Sequence, residues 1–119
     1  MGLKQTFKQV RDRYVVEQVR VLEIPQFPPA DIHRYRITFS GRVQKVGFRL
    51  AVCELAKRLK LTGFCANLEN GSVLAELQGT EEKIRYLLAF LDSRKRIKIT
   101  EKVTEEIALV DGEIEFLKR

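Results

Sequence analysis

The spacing of apolar residues changes several times along this chain, and each change predicts an element. Tyr35, Ile37 and Phe39 alternate with polar neighbours, the period of a half-buried strand. Val52, Leu55, Ala56 and Leu59 then fall at i, i+3, i+4 and i+7, which predicts a helix packed on one face and ending near Lys60. Leu61–Asn67 and Ser72–Gln78 read as strands around Glu69-Asn70-Gly71, and Asn-Gly between two strand-like runs is a strong hairpin signal. Gly79 closes the second strand. Thr80 suits an N-cap, with Glu81, Glu82 and Lys83 in the first turn, and Ile84, Leu87, Leu88 and Leu91 repeat the helical stripe. Two more strands are predicted over Ile97–Ala108 and Glu113–Leu117, joined at Asp111-Gly112.

Upstream, Leu3, Phe7, Val10 and Tyr14 step by four, three and four, predicting a short amphipathic helix. Val19–Ile24 reads as extended, and Pro25, Pro28 and Pro29 then break regular structure. A boundary is expected near residue 30, with residues 1–30 an extension on the surface of a domain spanning 31–119. The extension shows no chemistry of its own in the sequence. The order strand, helix, strand, strand, helix, strand, with a further edge strand, predicts an α+β ferredoxin-like split βαβ sandwich. In that fold two helices cover one face of an antiparallel sheet.

Composition narrows the function. A chain of 119 residues with 45% hydrophobic content fits one globular domain. No apolar run reaches the roughly 18–20 residues a membrane span requires, and charges interrupt the N-terminus throughout, unlike a secretory signal. A cytoplasmic protein is expected. Cys53 and Cys65 fit that compartment as small hydrophobes. They form no CxxC pair, and with His33 the single histidine there is no metal constellation. A cysteine nucleophile would need a basic partner, and none is evident. The net charge of +6 suits nucleic acid, an acidic protein or a small anion alike. RNA-recognition domains share the strand–helix order, but they stack bases on aromatics of the central strands, and Ser72–Gln78 contains none.

The candidate chemistry lies where the Tyr35 strand meets the first domain helix. Gly41-Arg42-Val43-Gln44-Lys45-Val46-Gly47-Phe48-Arg49 places two glycines before a helix N-terminus, where free N–H groups and the positive end of the macrodipole can hold an anion. Arg49 in the first turn opposes that dipole by roughly 0.3–1 kcal/mol, which makes sense if a dianion is shared between guanidinium and amides. A solvated arginine covering apolar surface is the other reading of the same position. Lys57-Arg58, Lys60 and Arg94-Lys95-Arg96 read as solvated charge.

This loop resembles the phosphate cradle of the acylphosphatases. A second stretch similar to that family follows at the matching distance: Gly63-Phe64-Cys65-Ala66-Asn67, then Asn70-Gly71-Ser72-Val73, then Glu76-Leu77-Gln78-Gly79. The pattern runs from about Arg34 to the C-terminus. The resemblance implies hydrolysis of the carboxyl–phosphate bond of acyl phosphates by direct attack of water, without metal or organic cofactor. It implies that Arg49 binds phosphate, that the loop from Gln44 through Lys45, Val46, Gly47 and Phe48 to Arg49 cradles it, and that Asn67 holds the attacking water. Asn67 could otherwise merely end a strand before the turn. The expected partner is a small-molecule acyl phosphate, bound by a monomer with no nucleic-acid or membrane partner. The alternative is a non-catalytic module of the same family that binds an anionic ligand or partner. One departure stands out: the family loop has glycine where this chain has Lys45, so a positive φ there would cost roughly 1–2 kcal/mol.

Overall fold

The computed structural model describes residues 6–119. Its order is α1 (Phe7–Arg20), β1 (Ile32–Arg42), α2 (Phe48–Leu59), β2 (Thr62–Asn67), β3 (Val73–Thr80), α3 (Glu81–Asp92), β4 (Lys98–Ile107) and β5 (Phe116–Lys118). The sheet order is β4-β1-β3-β2-β5. β1 and β3 pair antiparallel at its centre, with Ile37 opposite Ala75 and Phe39 opposite Val73. The expected split βαβ, ferredoxin-like sandwich is the observed fold. The sheet is mixed rather than wholly antiparallel, because β5 runs parallel to β2, with Gly63 opposite Phe116. Asp111-Gly112 therefore lies in a crossover between the two sheet edges, not in a hairpin.

The alternation in β1 puts Ile37 and Phe39, both fully buried, into one core cluster with Val52, Leu55, Ala56 and Leu59 of α2 and Leu87 and Leu91 of α3. Phe39 and Phe48 meet edge to face, ring centroids 4.9 Å apart, so the first residue of α2 is anchored directly on β1. On the other face the sheet carries charge. Arg34, 2% exposed, is bound by Glu113 at 2.7 Å and by Glu76 at 2.9 Å, and Glu76 also accepts from Arg36. This buried network ties the β4–β5 crossover to β1 and β3.

α1 differs from its sequence-based expectation in extent and in face. The helix runs on through Val19 and Arg20, where an extended segment was expected, and Thr6 closes its start in a capping box with Gln9. Phe7, Val10 and Tyr14 are exposed, Phe7 at 97%; Leu3 lies outside the described residues. The buried stripe is instead Val15 and Val19, which join the core. Arg58 is not merely solvated: its Nη1 donates to the carbonyls of Val19 and Leu22, each at 2.7 Å, satisfying the C-terminal end of α1. Thr80 does occupy the N-cap of α3, but its hydroxyl makes no cap bond.

Candidate active site

Two local features turn β1 into a loop. The register against β4 shifts between Ser40 and Gly41, and Gly41 has φ +119°. A Cβ there would stand 2.1 Å from the Lys98 carbonyl oxygen, so only glycine allows strand and bulge to approach so closely. The chain then bends through Val43–Val46 and enters α2 at Gly47, whose φ of 82° is left-handed. Gly47 offers no side-chain cap. Lys45 is left-handed as well, with φ 62°. The position where this chain departs from the family glycine is thus one that glycine would favour.

Among the described residues, no backbone N–H from Gln44 to Leu50 donates to a protein acceptor; the first bond inside α2 is Ala51 N to the Gly47 carbonyl at 2.9 Å. A run of unpaired amides at a helix N-terminus is an anion-binding arrangement. The loop is nevertheless held firmly. Gln44 Nε2 donates to the carbonyls of Leu68 and Ser72, both at 2.8 Å, bridging to the β2–β3 turn. That turn is fixed in its own right: Leu68 N bonds to the Ser72 carbonyl at 2.9 Å, and Asn70 Oδ1 accepts from Ser72 N at 3.0 Å.

Asn67 ends β2, paired with Val73, one residue before the turn. Arg49, in the first turn of α2, donates from Nη1 to the main-chain oxygen of Arg119 at 2.6 Å, and Arg119 N in turn donates to the Cys65 carbonyl at 2.8 Å. The β2–β5 edge therefore orients the guanidinium, while its remaining N–H groups have no protein acceptor among the described residues. Lys45, Gly47, Phe48, Arg49 and Asn67 line one hollow of about 380 Å³. Two of the loop residues singled out in the sequence are not on this lining. The Gln44 side chain is the brace, and Val46 packs beside the core. Their main-chain N–H groups donate to no protein acceptor among the described residues.

The hollow also holds residues that sequence reasoning missed. Lys8, Arg11 and Asp12 of α1, Leu50, and Lys118 of β5 complete its lining. Their roles depend on long-range packing, so local spacing carries no signal for them. Neither cysteine belongs to it. Burial pushes the Cys53 thiol up to about 11, and burial followed by the neighbouring Cys53 pushes Cys65 up still further, so neither is poised as a thiolate. Among the described residues no group of three or more His, Cys, Asp and Glu could hold a metal. A larger hollow of about 580 Å³, between the end of α2 and β5, holds Lys57, Lys60, Thr62 and Glu115 beside apolar side chains, and it is not at a helix N-terminus.

The sequence model of the family described as Acylphosphatase matches residues 35–116. The chain belongs to the acylphosphatase family. The acylphosphatase of Clostridium beijerinckii is 38% identical over 87 residues, covering 70% of this chain and 93% of that one. The crystal structure of acylphosphatase from Bacillus subtilis aligns at TM-score 0.66 and 31% identity, over 73% of this chain and 98% of that one. An acylphosphatase from Coxiella burnetii aligns at TM-score 0.67 and 30% identity, over 74% and 93%. Within this acylphosphatase, the matched region begins in β1, so all of α1 lies before it.

Proposed function

We propose that this acylphosphatase hydrolyses acyl phosphates at the hollow shared by Arg49 and Asn67. The observation that carries the reading is the coincidence of an unpaired amide run, a guanidinium in the first helical turn and a carboxamide on one cavity. The amides from Gln44 to Arg49 and the free edge of Arg49 hold the phosphoryl oxygens. Charge-assisted hydrogen bonds of this kind contribute about 1.5–3 kcal/mol each. Asn67 both accepts and donates, so it orients a water without titrating. That water's oxygen attacks phosphorus as the phosphorus–oxygen bond to the acyl group breaks. The carboxylate leaves with the bonding pair, and a phosphate oxygen takes the water's proton. Little covalent help is needed, because phosphoryl transfer depends on positioning and electrostatic stabilisation.

The free, buried thiols of Cys53 and Cys65 suit a reducing compartment, and we place the protein in the cytoplasm as a monomer. No helix among the described residues is long and apolar enough to cross a membrane. Steady-state hydrolysis of benzoyl phosphate tests the activity. Stoichiometric benzoate and inorganic phosphate are expected, with product phosphate a competitive inhibitor. Competitive phosphate binding without turnover would leave only an anion-binding module.

A further inference from the structure

Part of the hollow's wall comes from outside residues 35–116: Lys8, Arg11 and Asp12 from α1, and Lys118 from β5. α1 is built into this place rather than laid over it. Val15 and Val19 are buried, and Arg58 closes the helix's last carbonyls. The nearest atom to a Cβ on Gly47 would be Val15 Cγ2 at 2.8 Å, and the next would be Cδ of Arg11 at 3.6 Å. The glycine that starts the cradle helix is therefore covered by α1, and the positions of Lys8 and Arg11 are fixed relative to the loop.

The charge on this lining exceeds what one phosphoryl group requires. Among the described lining residues, Lys8, Arg11, Lys45, Arg49 and Lys118 stand beside one acidic side chain, Asp12, and Arg11 binds that carboxylate at 2.9 Å. Lys8, Lys45 and Lys118 have no carboxylate partner among the described residues. A phosphoryl dianion is already matched by Arg49 and the loop amides. The ammonium groups that remain favour further negative charge in the ligand, and those of Lys8 and Lys118 belong to elements that border the cradle loop rather than form it.

We propose that α1 and Lys118 make an anion-selective wall for the leaving group, so that this enzyme prefers acyl phosphates whose acyl part itself carries a carboxylate. This rests on hydrolysis occurring at the Arg49 hollow. Lys8 and Lys118 are the specificity-determining residues, and the second carboxylate of the substrate is their ligand.

The test compares kcat/KM for benzoyl phosphate and 4-carboxybenzoyl phosphate, which differ by one remote carboxylate. For the full chain the ratio is expected to favour the carboxylated substrate by about tenfold, mainly through KM, and to shrink as salt is raised. Lys8→Glu and Lys118→Glu are each expected to lower that ratio at least about fivefold. A glutamate at position 8 sits well with the dipole in the first turn of α1, so folding is retained, and Lys8→Gln gives a charge-neutral check. Turnover of benzoyl phosphate with a ratio near one, or a ratio that neither reversal changes, overturns the selectivity. Absence of turnover of both substrates overturns the hydrolytic reading and the selectivity with it.

Discussion

Gln44 of the loop before α2 and Ser72 of the β2–β3 turn are joined by a 2.8 Å hydrogen bond from the Gln44 carboxamide to the Ser72 carbonyl, with a second bond of equal length to Leu68. The loop that offers amides is thereby tied to the turn that follows Asn67. Two half-buried bonds of this kind contribute about 1 kcal/mol each. Gln44→Ala is expected to lower the melting temperature by about 5–10 °C and kcat/KM by about tenfold, the latter because loop and Asn67 lose their common register. Thermal unfolding and benzoyl phosphate kinetics on one preparation read both effects; an unchanged kcat/KM would remove the brace from the functional account.

Arg49 is oriented by the main-chain oxygen of Arg119 and lines the hollow. Arg49→Ala removes contacts made to the phosphoryl group in both ground and transition states, so turnover and phosphate inhibition are expected to vanish together. The loss in kcat/KM should be at least about a hundredfold, the worth of one or two charge-assisted bonds. Retained inhibition by inorganic phosphate in this variant would place the anion elsewhere.

Asn67→Ala should separate these effects. With the water no longer held, kcat is expected to fall about ten- to a hundredfold while the inhibition constant for phosphate stays within about twofold. Loss of phosphate affinity would make Asn67 a binding residue and not a water-positioning one.

The contrast between α1 and α2 shows what the sequence could disclose. In α2 a single apolar stripe is available, Val52-Leu55-Ala56-Leu59, and all four side chains are buried. In α1 two stripes compete: Phe7-Val10-Tyr14, and Val15-Val19. Which one turns inward depends on a partner remote in sequence, the α2 surface with Gly47 and Arg58, so local period points to the wrong face. The same remoteness hides Lys8, Arg11 and Lys118, which reach the hollow through packing alone. The strand-to-helix and strand-to-turn junctions that carry Arg49 and Asn67 were legible in local pattern, whereas the roles expected of the two residues came from the family resemblance, and the structure brings both to one hollow. The brace by Gln44 was not, since a glutamine side chain carries no periodic signal.

Lys45 holds a left-handed conformation, φ 62°, at the edge of the hollow. Lys45→Gly relieves about 1–2 kcal/mol of backbone strain and costs about 0.5–1 kcal/mol in unfolded-chain entropy. A small rise in melting temperature, up to about 5 °C, is expected, whereas Lys45→Val should lower it. If the ammonium also steers the substrate, the glycine variant will show a higher KM and a weaker dependence of kcat/KM on salt.

The buried charge network predicts the acid limb of stability. Burial is the largest influence on the Glu113 carboxyl and would raise it, but hydrogen bonds from Arg34 and Thr62 and the charges of Arg34 and Arg119 together outweigh it and hold the carboxyl below its ordinary value of 4.5. Its contribution is present above that value and is lost as pH falls through the lower folded value. Glu113→Gln is therefore expected to be less stable than the parent at neutral pH and to show a shallower loss of stability on acidification below about pH 4.5. Parallel acid-unfolding curves for the two proteins would argue against this role.

On the proposed mechanism, the main-chain amides from Gln44 to Leu50, together with Arg49, receive the phosphoryl group. Titrating inorganic phosphate into uniformly nitrogen-15-labelled protein, and following the amide resonances, measures this directly. The largest shifts, downfield in hydrogen, are expected at Lys45 through Arg49, with a lesser response at Asn67 and none on the charged face around Arg34. Shifts centred elsewhere, with the loop amides unmoved at saturating phosphate, would contradict it.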